Sequence, residues 1–88
     1  MRFRVVISDT ATRQLRKLPG DQRSRVARAL RVLEEDPFRP RPKADIRAIA
    51  DTEPRKHRLR IGDYRVVYAI VGREVKIIEV FIRGRGYR

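Results

Sequence analysis

Cysteine and tryptophan are absent from the 88 residues, and methionine and histidine occur once each. Without cysteine there are no disulfides and no thiolate chemistry, which fits a reducing compartment. With His57 as the one histidine and no cysteine, a zinc site of the usual ligands is out of reach. There is no G-x-x-x-x-G-K-[ST] loop and no G-x-G-x-x-G turn, so the familiar nucleotide cradles are excluded. Ser8 and Ser24 lack any nucleophile context. Carboxylates are scarce, and Glu34, Glu35 and Asp36 are consecutive and point different ways, a poor basis for a two-metal centre. No run of 18 apolar residues is present, so no membrane helix is expected. Arg2 and Arg4 interrupt the apolar stretch near Met1, unlike a secretory leader. The expectations are a cytoplasmic protein with no membrane partner, no cofactor and no metal. It should form a single domain over 1–88 with a thin stability margin.

What the chain has in excess is positive charge. Lysine and arginine number 23 against 11 acidic residues, a net charge of +12, and 19 of the 23 are arginine. Arginine presents a planar fork of donors that fits phosphate oxygens and stays charged at any working pH. From Pro54 onward, ten basic residues face three acidic ones within 35 positions. A polyanion is the first candidate partner; an acidic protein would satisfy the same field.

The pattern along the chain describes an α+β domain. Arg2–Ser8 reads as a strand with Phe3, Val5 and Ile7 on one face. Ser8, Asp9 or Thr10 caps a helix whose stripe is Ala11, Leu15 and Leu18, ended by Pro19-Gly20. Asp21 caps a second helix with Val26, Ala29, Leu30 and Leu33 inward and Arg23, Arg25, Arg28 and Arg31 outward. Pro37 stops it. Glu34, Glu35 and Asp36 crowd its last turn, where the helix macrodipole disfavours them, and the sequence offers no account of that placement. Pro37–Pro54 reads as an ordered connector with room for a helical turn or a short edge strand. Arg55–Ile61, Tyr64–Val71 and Val75–Ile82 are strands joined at Gly62-Asp63 and Gly72-Arg73, an antiparallel meander. The order β-α-α-β-β-β lays a helix hairpin on one face of a small, mainly antiparallel sheet.

The first meander strand carries the chemistry. Alternation puts Lys56, Arg58 and Arg60 on one face, each about 6.6–6.8 Å from the next, close to the spacing of phosphates along a nucleic-acid strand. Leu59 and Ile61 face the core, and His57 goes with them in a structural role. Three cations in a row repel one another. Either an anion neutralises them or they form a solvated edge with their stems over apolar neighbours, and alternation alone leaves both readings open. Arg65, Arg83 and Arg85 reach the same face if the sheet curls, with Tyr87 beside them. Clustered arginines stabilise developing phosphate charge, and a tyrosine stacks on a base or moves a proton.

The segment RKHRLRIGDYRVVY (55–68) resembles the R-x-G-x-Y-R-[VL]-x-Y signature of the RelE/ParE toxin superfamily, and the element order is similar over nearly the whole chain. Arg83 and Tyr87 are spaced as in the RelE-type ending H-R-x-x-V-Y, with Ile82 where that ending has His. The resemblance implies the toxin of a type II toxin–antitoxin system, a ribosome-dependent, metal-independent endoribonuclease that cleaves mRNA by attack of the RNA 2′-OH on the adjacent phosphate. It assigns catalytic roles to Lys56, Arg58, Arg65, Arg83 and Tyr87. Lys56 or Tyr87 would assist deprotonation, Arg58 and Arg65 would stabilise the phosphate charge, and Arg83 would serve the leaving oxygen. Arg60, Arg85 and Arg88 would bind RNA. Arg58 stands where some relatives have Lys. The implied partners are a small acidic RelB-like antitoxin, mRNA on the ribosome and rRNA. The antitoxin would dock over Ile46, Ile49 and the outer helix faces. Two alternatives stand beside the nuclease: a ParE-like inhibitor of DNA gyrase, and an inactive RNA- or ribosome-binding module.

Overall fold

The meander runs through three β-rich segments whose alternation matches a half-buried sheet, and it dominates the architecture. The computed structural model describes residues 2–50 and 55–82. In chain order the elements are β1 (Arg4–Ile7), α1 (Asp9–Arg16), α2 (Gly20–Glu35), β2 (Asp45–Ile49), β3 (Lys56–Ile61), β4 (Tyr64–Val71) and β5 (Glu74–Ile82). The five strands form one sheet in the order β1-β5-β4-β3-β2. β1 pairs parallel with β5, and the other neighbours are antiparallel. The fold is thus α+β with a mainly antiparallel sheet, as the pattern predicts, enlarged by β2. That edge strand lies in the segment read as a connector.

Ser8 caps α1. Its Oγ accepts the Ala11 N–H at 3.0 Å and donates to the Ile78 carbonyl at 2.9 Å, which ties the helix start to β5. Such a cap contributes about 1 kcal/mol. α1 ends at Arg16, so Leu18 lies past the helix yet still packs on the core. The cap of α2 differs from expectation: Pro19 occupies the position, without a side-chain bond, and Asp21 sits in the first turn. Proline's preset φ starts the helix, and Asp21 complements the positive end of the dipole.

The far end of α2 resolves the crowding of acids. Arg41 reaches back and donates to the carbonyls of Val32 at 3.0 Å, Asp36 at 3.0 Å and Arg39 at 2.6 Å. A guanidinium therefore neutralises the negative helix end. Asp36 stands beyond the helix, where its carboxylate accepts the N–H groups of Phe38 at 2.9 Å and Arg39 at 3.2 Å. Those bonds, the Phe38 one foremost, hold its pKa below the ordinary 3.8 against a smaller opposing effect of burial.

The core lies between the helices and the sheet. Val26, Leu30 and Leu33 of α2 and Ala11 of α1 meet Leu59, Ile61, Val66, Tyr68, Val75, Ile77 and Val80 of the sheet. The stripe expected for α2 is therefore its buried face. The Tyr68 hydroxyl donates to the Pro37 carbonyl at 2.7 Å and anchors the α2–β2 connection to the centre of the sheet. Ile46, proposed from sequence as docking surface, is in the core and 3% exposed. Its place on β2 turns it inward, so it offers nothing to a partner.

Candidate nucleic-acid interface

β2, β3 and β4 build the sheet face opposite the helices, and alternation decides what each contributes. On β3 the burial alternates without a break: His57, Leu59 and Ile61 are buried, while Lys56 and Arg58 are half-buried and Arg60 is exposed. The Gly62-Asp63 turn, with Gly62 at φ 57°, joins β3 to β4 in two residues. The tight turn fixes the register that sets Arg65 directly opposite Arg60. β2 runs antiparallel on the other side, with Asp45 opposite Arg60 and Arg47 opposite Arg58.

Asp45, Arg47, Arg58, Arg60 and Arg65 line one pocket of about 100 Å³. Of the residues singled out from the sequence, Arg58, Arg60 and Arg65 are brought together there. Lys56 shares their face but stands two residues along β3 from Arg58, outside the pocket lining. Arg83, Arg85, Tyr87 and Arg88 lie outside the described residues. Asp45 and Arg47 went unnoticed in the sequence. Their signal was the alternation Asp45-Ile46-Arg47, obscured by the prolines before it.

The electrostatics of the pocket are unusual. The register sets arginine against arginine twice, Arg47 with Arg58 and Arg60 with Arg65. Like charges directly opposite one another on adjacent strands are destabilising. Ion pairs between described residues lie elsewhere, Arg2–Glu34 at 4.0 Å, Arg4–Glu74 at 3.5 Å and Arg39–Asp36 at 3.5 Å. Arg65 is the deepest of the set at 8% exposed, and its Nη1 donates to the carbonyls of Gly62 and Tyr64 at 3.3 Å each. Backbone carbonyls thus orient a largely desolvated guanidinium at the pocket. Among the described residues, four guanidiniums against one carboxylate make a site for an anion with several oxygens. Among the described residues no three His, Cys, Asp or Glu side chains are grouped to hold a metal ion.

The reverse side of β3 keeps the site in place. The His57 ring stacks on Tyr68 at 5.5 Å and meets the edge of Phe38 at 6.0 Å, and Phe38 in turn meets Phe3 at 5.8 Å. Nδ1 of His57 is buried with no hydrogen-bond partner. Burial, helped by the nearby Arg55 charge, lowers the His57 pKa below 6.5. His57 is a neutral core group, in the structural role expected of it. Burial likewise raises the Tyr68 hydroxyl far above its ordinary range.

Comparison with known proteins places this geometry in context. A family model described as the ParE toxin of the type II toxin–antitoxin system parDE matches residues 5–87. Among solved structures, the archaeal RelE–RelB complex from Pyrococcus horikoshii is similar at 32% identity and a TM-score of 0.81, covering 98% of this chain and 100% of that one. The RelBE2 toxin–antitoxin complex of Mycobacterium tuberculosis follows at 26% identity and 0.70, covering 94% and 100%. The Escherichia coli RelBE complex, at 24% identity and 0.65 over 94% and 99%, shares the fold. No individually curated protein matches the sequence.

Proposed function

The chain belongs to the ParE toxin family of type II toxin–antitoxin systems, and on that premise we propose that it is an RNA-cleaving toxin acting on mRNA in the ribosome. That it is the toxin of a RelBE/ParDE-type pair follows from the family. The cleaving activity is our reading, and one observation carries it: two arginine–arginine pairs face each other across β2–β3 and β3–β4 around a pocket of phosphate size. Arginines held opposite one another keep positive charge at the pocket, which a phosphate offsets.

In this reading the 2′-OH attacks the neighbouring phosphorus, the bond to the 5′-oxygen breaks, and the products are a 2′,3′-cyclic phosphate and a 5′-hydroxyl. Arg58 and Arg65 neutralise the charge that builds on the phosphate oxygens, and Arg60 holds the strand. Arg65 suits its role because its orientation is set before substrate arrives. Lys56 or Tyr87 assists deprotonation of the 2′-OH and Arg83 serves the leaving oxygen, with Arg85 and Arg88 as further contacts to mRNA and rRNA. The chemistry draws on charge and position and needs no metal or cofactor.

A small acidic antitoxin of RelB type is the proposed partner, and the cytoplasm the proposed location. Two similar proteins above 25% identity, from Pyrococcus horikoshii and Mycobacterium tuberculosis, were crystallised as RelE–RelB and RelBE2 toxin–antitoxin complexes. The +12 charge would draw such a partner quickly and in a salt-sensitive way. Ile7, 40% exposed, lines a groove between β1 and α2 with Val5, Ala27 and Leu30, which Arg31 and Glu34 also line. That groove replaces the core residue Ile46 as the apolar surface on offer.

A second reading has a specific observation behind it: the matching family carries the ParE name, and ParE toxins include gyrase inhibitors. Induction in cells separates the two. Primer extension on translated mRNA should show new 5′ ends within coding regions. Trapped gyrase on broken DNA with intact mRNA would reverse the assignment, and neither effect would leave an inactive binding module.

A further inference from the structure

Asp45 is the odd member of the pocket. A carboxylate repels phosphate, and four arginines alone would hold an anion more tightly. Its position is firm: it opens β2, pairs directly with Arg60, and Arg60 pairs on its other side with Arg65. Asp45, Arg60 and Arg65 therefore form one row across three strands, about 4.7–4.9 Å apart at each step. The carboxylate lines the pocket and is exposed. It takes part in none of the ion pairs between described residues. It caps no helix and closes no turn.

An ionised carboxylate is an acceptor only. Water serves it while the pocket is open, and a donor that arrives together with the phosphate can take the place of that water. A ligand ammonium is disfavoured by four surrounding guanidiniums, so the donor is neutral. In RNA such a donor sits on the carbon next to the one bearing the 3′-phosphate: the ribose 2′-hydroxyl. DNA has nothing there. A hydroxyl bonded to a carboxylate makes a short, charge-assisted contact, and it is the one group that lets a protein tell RNA from DNA at a given position.

We propose that Asp45 accepts the ribose 2′-hydroxyl beside a phosphate held by Arg60 and Arg65, and so makes the anion pocket selective for RNA over DNA. The proposal deepens the RNA-directed reading above and rests on it for the identity of the ligand. Asp45 gives up phosphate affinity in general and regains it where a 2′-hydroxyl is present. In the cleaving enzyme the same contact would hold the 2′-oxygen beside the phosphorus, which makes Asp45 a positioning residue contributed by the edge strand.

The test uses uridine 3′-monophosphate and its 2′-deoxy counterpart, which share base and phosphate and differ by one hydroxyl. Neither has a 5′-nucleoside to expel, so binding is read without cleavage. NMR titration of the intact protein should show the ribonucleotide bound about tenfold tighter, the scale of one charge-assisted hydrogen bond. Asp45→Ala should abolish that preference and tighten binding of inorganic phosphate. Asp45→Asn, which keeps an acceptor oxygen without the charge, should retain part of the preference. Equal binding of the two nucleotides by the parent, or a preference that survives Asp45→Ala, overturns the proposal. Because the mononucleotides report no cleavage, failure of the mRNA assay would remove the nuclease reading and leave this result to stand or fall by itself.

Discussion

Arg65→Ala is the perturbation that separates chemistry from folding. Between described residues, the substitution gives up two long hydrogen bonds, from Arg65 Nη1 to the Gly62 and Tyr64 carbonyls at 3.3 Å. A good bond is worth about 0.5–1.5 kcal/mol net, and the carbonyls lie beside a turn where water can replace the lost donor. Removing the guanidinium also relieves its repulsion with Arg60, worth some 0.2–1 kcal/mol. The two effects oppose, so from these contacts stability should fall by about 1 kcal/mol, a melting shift of roughly 4–8 °C in a domain of this size. Binding of RNA should lose one phosphate contact, and its log–log salt slope should shrink by about 0.7. The transition state should lose far more, since one oriented stabiliser is typically worth about 10²–10³ in rate. Cleavage of translated mRNA, RNA affinity and thermal melting measured on one preparation give all three quantities. Arg65→Lys should fall between, keeping charge but not the fork that two carbonyls orient. Cleavage that declines only as much as affinity does, or survives the substitution, would refute the argument that a pre-oriented Arg65 stabilises the reacting phosphate.

Three further outcomes are expected. Leu30, 5% exposed in the α2 stripe, should cost about 2–5 kcal/mol when cut to Ala, and a variant that melts like its parent would misplace the core. His57 has its pKa lowered in the fold, by burial first and Arg55 second, so the unfolded chain takes up the proton first. Its contribution to stability is complete above about 6.5 and is lost as pH falls from there through the folded value. His57→Phe keeps the stack on Tyr68, removes the partnerless Nδ1, and should both raise the melting temperature and flatten its dependence between pH 7 and 5.5; an unchanged slope would contradict this. Binding to RNA should weaken steeply between low and physiological salt because of the +12 charge, and a flat response would show that the arginine face is not what binds.

Much of this architecture was legible because its physics is local. The two-residue turns at Gly62-Asp63 and Gly72-Arg73, the period of two in β3 and the stripe of α2 each announce themselves within a few residues. What escaped reading depends on distant parts of the chain. The acidic end of α2 looked like a violation of the helix dipole because its neutralising cation, Arg41, comes after two prolines. β2 stood only as one of two options, a helical turn or a short edge strand, for a related reason. Prolines 37, 40 and 42 suggest irregular chain, and only the open edge of β3 makes five residues after them a strand. With β2 went Asp45 and Arg47, two of the five described side chains lining the pocket.

The pocket and the core are nevertheless one construction. β3 carries Lys56, Arg58 and Arg60 on one side and His57, Leu59 and Ile61 on the other. A register slip of a single residue would drive the cations into the core and expose the apolar set. The buried side is therefore what holds the charged side in register, and the His57–Tyr68 stack under Arg58 belongs to the site although it touches no ligand. The same coupling bears on the choice between functions. A surface that merely attracts a polyanion can scatter its charges on loops and helices, as Arg23, Arg25, Arg28 and Arg31 are scattered along the exposed side of α2. Here the two arginine–arginine pairs are instead fixed across a sheet whose register the core enforces, and backbone carbonyls orient the most buried of the four. Positive charge held in rigid geometry favours any phosphate that binds there, and in the proposed reaction it favours most the extra charge of a phosphate under attack by its neighbouring hydroxyl.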